Sequence, residues 1–347
     1  MIRICTSLSR SGYFVTLVGR SHKNADPLNE RPFQQKRLFC FFRKGKLFYL
    51  EYNLKLFFYL LFQPFDLIGA IDLDTILPCY WASVIKRKKR VYDAHELFCE
   101  MKEVVSRPRI YQFWKWVERN TVPHFQLGYT VNHFIRNMLF DEYKVEYEVI
   151  RNMPVVKEEQ TTKRTNEKFI LYQGAVNHGR SFETLIPAFQ HISVPLHIYG
   201  DGNFLGEAKS LVKKYNLEEK IIFKGKAAPE TLKEITPQAF LGITLFEKNS
   251  LNNYYSLANR FFDYIHAGVP QLCVAYPAYK EINEQYKVAC LIEDLTPQVI
   301  AHAINNILND DVLWEEMHQA CLAARRVYNW QEEEKKLLPF YHTIFYP

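Results

Sequence analysis

The sequence lacks paired cysteines and any long apolar run. Its seven cysteines are scattered through 347 residues without a C-x-x-C pair, which argues against a disulfide framework and a zinc site and predicts a reducing compartment. The most apolar stretch, residues 54–62, falls short of the roughly 20 residues that a membrane-spanning helix needs. Residues 1–8 lack the order of a secretory signal and predict a short amphipathic helix. These absences favour a cytoplasmic protein.

The composition is balanced, with 48% apolar and 24% charged residues. Coiled-coil, collagen and low-complexity classes are excluded, and the length predicts two globular domains. The net charge of +6 (44 basic minus 38 acidic residues) is unevenly placed. Residues 1–160 hold 25 basic and 17 acidic side chains, which is net +8 and leaves −2 for the rest.

Segments typical of strands and of helices alternate along the chain, which predicts parallel sheets covered by helices on both faces. In the first half, strands are predicted at 13–19, 66–71, 90–93, 127–131 and 147–150, and helices at 72–85, 109–119 and 134–143. In the second half, strands are predicted at 169–173, 196–199, 221–224, 240–246, 271–275 and 289–292.

A polar connector, residues 156–167, divides the two halves, because it contains only polar and charged side chains after Val156. We therefore predict two Rossmann-like domains, 1–157 and 166–329, with a last helix within 330–347 packing back on the first domain. Ligand is expected in a cleft at the carboxyl ends of the strands.

The first candidate site is Asp93-Ala-His95-Glu96, directly after a predicted strand. A histidine there lies where ligands bind in doubly wound domains, and its imidazole can bond a sugar hydroxyl. The alternative is a helix N-cap at Asp93 with a locally bonded histidine. The spacing is not the H-E-x-x-H of a zinc protease, so no metal is predicted.

The second candidate site is the loop from Gly174 to Ser181, between a strand and a helix. Its glycines allow close backbone approach, and Arg180 can bond two phosphate oxygens. An arginine in place of the P-loop lysine argues against a nucleoside triphosphatase. The loop predicts a diphosphate site, with a purely structural turn as the alternative.

The third candidate site is the segment 256–270, where a helix begins near Asn259 and ends at Gly268. Asp263 lies early in this helix, where it can accept bonds from two ribose hydroxyls. Residue type alone favours the alternative that Asp263 only complements the helix dipole.

Two other motifs suggest chemistry less strongly. Asp72-Leu-Asp74 resembles a metal-holding aspartate pair of other sugar transferases, but its place between a strand and a helix favours capping. Residues 86–90 (K-R-K-K-R) are more typical of a solvated loop, or of a contact with anionic lipid, than of nucleic-acid binding.

Ser256-Leu-Ala-Asn-Arg-Phe-Phe-Asp-Tyr-Ile-His-Ala-Gly-Val-Pro resembles the S-x-P-N-K-x-F-E-Y-x-x-x-G-x-P stretch of family 4 glycosyltransferases, which are retaining enzymes of the GT-B fold. Val91-Tyr-Asp-Ala-His-Glu-Leu-Phe, Tyr172-Gln-Gly-Ala and Tyr199-Gly-Asp-Gly are similar to other motifs of that family, in the same order. The resemblance covers nearly the whole chain.

The resemblance implies a role for each matching residue. His95 contacts the donor sugar near the reaction centre, Arg180 binds the donor diphosphate, and Asp263 holds the ribose hydroxyls. Backbone around Asn259 and Arg260 contacts the diphosphate at the helix start. The glycines of the matching strand-end motifs, Gly174 and Gly200, belong to the donor site.

Three departures from the family pattern stand out. Tyr255 replaces the first acid of the family's Glu-x7-Glu pattern, and Asn177 and His178 precede Arg180 where a second basic residue is expected. The family also begins with a strand and a glycine-bearing loop, whereas this sequence begins inside the helix that follows them. We therefore expect unpaired strand edges in the first domain, from a misassigned start or a compromised domain.

The sequence thus predicts a retaining glycosyltransferase that uses a nucleoside diphosphate sugar and no metal, in surface polysaccharide or glycolipid assembly. The alternatives are a nucleotide-sugar epimerase or hydrolase and a non-catalytic sugar-nucleotide-binding subunit. The basic, Phe-rich residues 36–46 predict contact with an anionic membrane surface bearing a lipid-linked acceptor. The alternative is a helix face packed on the core. A nucleic-acid partner is not expected.

Overall fold

A computed structural model describes residues 1–23, 25, 27–156 and 167–346. The chain divides into two compact units. The first contains Met1–Arg151 and Trp330–Pro347, and the second contains Asn152–Asn329. The predicted connector lies outside the described residues except at its two ends, Val156 and Glu167.

The first unit alternates strands and helices. Its strands are β1 (Thr16–Ser21), β2 (Gln34–Phe39), β3 (Leu67–Ile71), β4 (Lys89–Ala94), β5 (Leu127–Thr130) and β6 (Glu148–Val149). Its helices up to the second unit are α1 (Ile2–Arg10), α2 (Lys46–Phe62), α3 (Ile76–Lys86), α4 (Lys102–Val105), α5 (Pro108–Thr121) and α6 (His133–Tyr143). The five strands predicted in this half are all present, with shifted ends.

The strands of the first unit form two parallel sheets rather than one. β1 pairs with β2, and the other four are ordered β3-β4-β5-β6. Among the described residues, β1 and β3 therefore each pair along one edge only. Strand edges of this kind carry backbone N–H and C=O groups without ladder partners.

Residues 36–46 do not form the helix considered as an alternative above. They supply the end of β2, an exposed loop and the first residue of α2. The strand forms because residues 34–39 pair with 16–21 in parallel register, a non-local contact that outweighs the low β-propensity of Gln and Lys.

The second unit is a six-stranded parallel sheet flanked by helices. Its strands are β7 (Ile170–Gln173), β8 (Leu196–Tyr199), β9 (Ile221–Gly225), β10 (Leu241–Thr244), β11 (Gln271–Val274) and β12 (Ala289–Ile292). Its helices are α7 (Phe182–Ala188), α8 (Leu205–Lys214), α9 (Pro229–Ile235), α10 (Leu251–Tyr255), α11 (Asn259–Ala267), α12 (Pro277–Gln285), α13 (Pro297–Leu308) and α14 (Asp311–Ala324). All six predicted strands are confirmed.

The strand order of this sheet, β12-β11-β10-β7-β8-β9, reverses direction between β7 and β10. Helices that follow these two strands lie on opposite faces, which opens a crevice at their carboxyl ends. The central strands are buried, since every residue of β7, β10 and β11 is buried. The sheet therefore sets a ligand site next to Gln173 and Thr244.

The last helix, α15 (Trp330–Phe345), belongs to the first unit. Its Trp330 indole donates to Ser7 Oγ at 2.9 Å. Its buried residues share one hydrophobic cluster with residues of α1 and of the four-stranded sheet: Ile4, Leu8, Val91, Tyr129, Ile150, Trp330, Leu337, Tyr341 and Ile344.

Candidate active site

Two glycine turns bring the loops after β7 and β8 into close contact. A Cβ built on Gly200 would lie 1.8 Å from the carbonyl oxygen of Gly174, and one on Gly202 would lie 2.2 Å from that of Val176. Gly174 itself has φ +128°, in the region that favours glycine. Both strand-end loops therefore require glycine, and their backbones form one wall of the crevice.

Arg180 is placed by a turn with two left-handed residues around it. Gly179 has φ +80° and Ser181 has φ +58°, and α7 begins directly afterwards. The Arg180 guanidinium stacks over the ring of Phe246, with its Cζ 4.5 Å from the ring centroid. Backbone holds the two loops together, because Glu247 N–H donates to the Gly179 carbonyl at 3.1 Å.

The Arg260 side chain, rather than only its backbone, takes part in this site. Its buried Nη1 donates to the carbonyl of Gln173 at 3.2 Å. Its Cζ lies 4.4 Å from the ring centroid of Tyr172 and 4.9 Å from that of Phe246. The guanidinium groups of Arg180 and Arg260 therefore both contact the ring of Phe246. This arrangement concentrates positive charge at the carboxyl end of the sheet.

Asp263 lies beyond the first turn of α11, which contains no acidic residue. The interpretation that it only complements the helix dipole is therefore wrong, since that effect is confined to the first turn. Gln173 Nε2 donates to Asp263 Oδ2 at 3.2 Å, and Thr236 Oγ1 donates to Gln173 Oε1 at 2.7 Å. A chain of two hydrogen bonds thus fixes the carboxylate.

The start of α11 is held by hydrogen bonds with two neighbouring segments. The backbone N–H of Ala258, just before the helix, donates to the Tyr279 hydroxyl at 3.0 Å, and Asn152 Nδ2 donates to Asn259 Oδ1 at 3.3 Å. N–H groups of a first helical turn have no intrahelical acceptor, so this end of α11 suits an anion. Tyr255, in place of the family's first acid, ends α10.

His95 follows β4 in the first unit, as predicted. Its backbone N–H donates to Asp72 Oδ1 at 3.0 Å, and its Nε2 lies 3.2 Å from Asp93 Oδ2. Asp93 is part of β4 and not a helix cap, so the capping alternative for it is wrong. Asp72 stands before a 3-10 turn but makes no side-chain cap bond. Its carboxylate holds the His95 backbone instead.

Burial has the largest effect on the pKa values of the side chains around His95. It raises the pKa of Asp72 to about 7, with nearby Asp93 adding to the shift and His95 opposing it. Burial also raises the pKa of Asp74 to about 6. Burial alone would lower the pKa of His95, but its bond with Asp93 and the charges of Asp93 and Asp72 raise it overall. Asp93 therefore acts as a positioning residue for the imidazole.

We expect Asp72→Asn to raise the melting temperature at pH 8 and to raise it less at pH 5. Because the folded pKa of Asp72 is raised above 3.8, the native state binds more protons than the unfolded state between about pH 4 and pH 7, and stability falls as pH rises through this range. Asparagine keeps an acceptor for the His95 N–H and tolerates φ +52°. The gain at pH 8 is about 1–3 kcal/mol.

Thermal unfolding at the two pH values measures this effect. Asp141→Asn, which removes an exposed carboxylate of the same unit, is the control and should shift neither midpoint. An equal change at both pH values for Asp72→Asn would contradict the buried, proton-binding carboxylate.

Within the ranges the structure covers, no group of three or more His, Cys, Asp or Glu side chains could hold a metal ion. Asp72 and Asp74 accordingly do not form such a group. Two further site residues, Phe246 and Gln173, were not predicted as functional. The sequence feature that could have identified them is their position at the ends of two predicted strands, 169–173 and 240–246.

Two Rossmann-like units, each with a parallel sheet, define the GT-B fold of glycosyltransferases. Residues 156–326 match the family model described as Glycosyl transferases group 1. The match lies within the second unit, which contains the crevice described above.

Solved structures support the same fold over the whole chain. Sucrose-phosphate synthase from Thermosynechococcus elongatus superposes with a TM-score of 0.79 at 18% identity, covering 99% of this chain and 92% of the other. A glycosyltransferase from Rickettsia africae gives 0.74 at 12% identity, with 99% and 94% covered. HepE from Anabaena in complex with UDP-glucose gives 0.72 at 13% identity, with 90% and 86% covered. No curated protein matches the sequence. The family match and the fold support sugar transfer as the activity.

Proposed function

We propose that this protein is a retaining glycosyltransferase that moves a sugar from a nucleoside diphosphate sugar to a hydroxyl of a saccharide or lipid-linked acceptor. The observation that carries the proposal is the pair of guanidinium groups, Arg180 and Arg260, on the ring of Phe246 beside the start of α11. Cations and a helix N-terminus at a topological switch point suit a diphosphate.

In the proposed reaction, the bond between the sugar C1 and the diphosphate oxygen breaks, and a bond between C1 and the acceptor oxygen forms on the same face. The acceptor proton passes to the departing diphosphate oxygen. Arg180 and the start of α11 stabilise the negative charge that grows on the diphosphate. No metal and no side-chain nucleophile are required in this scheme.

The other site residues orient the donor. Asp263, held by Gln173 at 3.2 Å, is assigned to the two ribose hydroxyls. His95, held by Asp93, is assigned to the donor sugar, where its raised pKa favours the protonated, donating imidazole. We assign the pathway to surface polysaccharide or glycolipid assembly.

Thermal stability against a panel of nucleoside diphosphates tests the donor site. UDP is the first to try, because HepE is known in complex with UDP-glucose. A ligand that binds only the native state stabilises it by about 2.7 kcal/mol at a hundredfold excess over Kd. Asp263→Asn should abolish the shift. Asp311→Asn, an exposed aspartate of the same unit, should keep it.

Acceptor-dependent release of nucleoside diphosphate then distinguishes transfer from its alternatives. Release without any acceptor would indicate a hydrolase, and binding without release or sugar conversion would indicate a non-catalytic subunit. The anomeric configuration of the product, measured by NMR, tests retention. Either an inverted product or a shift that survives in Asp263→Asn would contradict the proposal.

A further inference from the structure

Helix α2 is apolar on two opposite faces, of which only one is covered. Its inner face buries Tyr52, Leu56 and Leu60. The outer face carries large apolar side chains at helical spacing, exposed by 48% to 81%: Leu47, Leu50, Leu54, Phe58 and Phe62. A helix that is apolar all round is ordinarily buried on all sides. A stripe of this length on a surface helix indicates an interface.

The loop before α2 extends this stripe. Glu51 in α2 accepts bonds from the backbone N–H groups of Phe41 and Phe42, at 3.0 Å each, and from Lys55 Nζ at 2.6 Å. These contacts hold the ring of Phe41, which is 76% exposed, next to the helix. Two exposed aromatic rings are therefore fixed at the first turns of α2.

The end of α3 is joined to the end of α2. Lys86 donates to the carbonyls of Leu60 and Leu61, so it caps the carboxyl end of α2. The basic run 86–90 is thus not simply the solvated loop that its sequence favours. Trp81, Val84 and Ile85 of α3 are also exposed and lie in the turns that lead to this contact.

Cations flank both ends of this face. Arg43, Lys44 and Lys46 are exposed at the start of α2, and Arg87 is exposed beyond α3. The single carboxylate of α2, Glu51, is bound by Lys55. Exposed apolar side chains flanked by basic ones suit a bilayer surface, because the apolar side chains can enter the interface and the cations attract anionic headgroups. No helix of the described chain is long and apolar enough to span a bilayer.

We propose that the outer face of α2, with Phe41, Phe42 and the end of α3, docks flat on an anionic lipid bilayer. A 17-residue helix is about 25 Å long, so its stripe contacts the surface along its full length. The docking face belongs to the first unit alone and does not depend on the donor site of the second unit. It adds a membrane partner to the proposed function and brings the enzyme to lipid-linked acceptors.

Co-sedimentation with vesicles tests the proposal on the full chain without nucleotide. The parent should pellet with vesicles of phosphatidylcholine and phosphatidylglycerol, and less with phosphatidylcholine alone. Leu54→Glu combined with Phe58→Glu should lower the partition coefficient at least tenfold. The matched control, Val312→Glu combined with Val327→Glu, changes two exposed apolar residues of the second unit and should bind as the parent does.

The charge contribution is tested by Arg43→Glu, Lys44→Glu and Lys46→Glu together, which should remove the preference for phosphatidylglycerol. Circular dichroism establishes that each variant is folded. A parent that does not pellet, or a Leu54→Glu and Phe58→Glu variant that binds fully, overturns the proposal. A parent dimer that this variant converts to monomer, without vesicle binding by either, also overturns it and assigns the face to self-association. Arg180→Ala should bind vesicles normally, so failure of the donor site would be seen separately.

Discussion

Replacing Arg180 with alanine is expected to lower the rate of sugar transfer by about 10²–10³-fold, the usual loss when one group that stabilises transition-state charge is removed. The cation–π contact with Phe246 at 4.5 Å restrains the guanidinium and so limits the entropy lost when its N–H groups bind the diphosphate. Because the charge on the diphosphate grows as the sugar leaves, kcat should fall more than nucleotide affinity.

Steady-state kinetics of Arg180→Ala, Arg180→Lys and Arg326→Ala measure this role. Lysine keeps the charge but loses the two-pronged geometry, so an intermediate rate is expected. Arg326 is an exposed arginine of the same unit, and its replacement should leave the rate within a factor of two of the parent. A rate for Arg180→Ala within threefold of the parent would remove Arg180 from the reaction.

Replacing Gly200 with alanine is expected to destabilise the second unit and to abolish nucleotide binding. The new Cβ would lie 1.8 Å from the Gly174 carbonyl oxygen, and this neighbour is backbone that cannot rotate away. Overpacking of this kind costs about 1–3 kcal/mol, occasionally more. The forced movement displaces the loop that directly follows Gln173, whose side chain bonds Asp263 and whose carbonyl accepts from Arg260.

Gly206→Ala is the matched control. Gly206 lies in α8, and a Cβ there meets nothing within 4 Å, so alanine should stabilise the chain by about 0.5–1 kcal/mol. Urea unfolding followed by circular dichroism, together with nucleotide titration, separates the two variants. Wild-type stability and binding in Gly200→Ala would show that the two loops do not need their close approach.

The fold of the second unit is largely predictable because its strands carry their own signal. Residues 271–275 and 289–292, for example, are short apolar runs between helical segments, as expected for strands buried on both sides. β2 is different, since its exposed Gln34 and Lys36 alternate with the half-buried, polar Gln35 and Arg37. It is a strand because of its pairing with β1, which no local pattern records.

The candidate site is only partly predictable for the same physical reason. Arg180 lies just before α7 and Asp263 lies within α11, and local patterns locate both elements. The contacts that hold them are long-range: Gln173 bonds Asp263 across 90 positions of sequence, and Phe246 contacts Arg180 from the loop before α7 and Arg260 from α11. Such contacts follow from the strand order of the sheet.

The position of α15 has a consequence for how the chain is made. When residues 1–329 have been synthesised, every strand of both units exists, yet the cluster around Ile4, Leu8 and Val91 still lacks Trp330, Leu337 and Ile344. The unit that leaves the ribosome first can therefore complete this cluster only after the second unit has emerged, so the order of folding need not follow the order of translation.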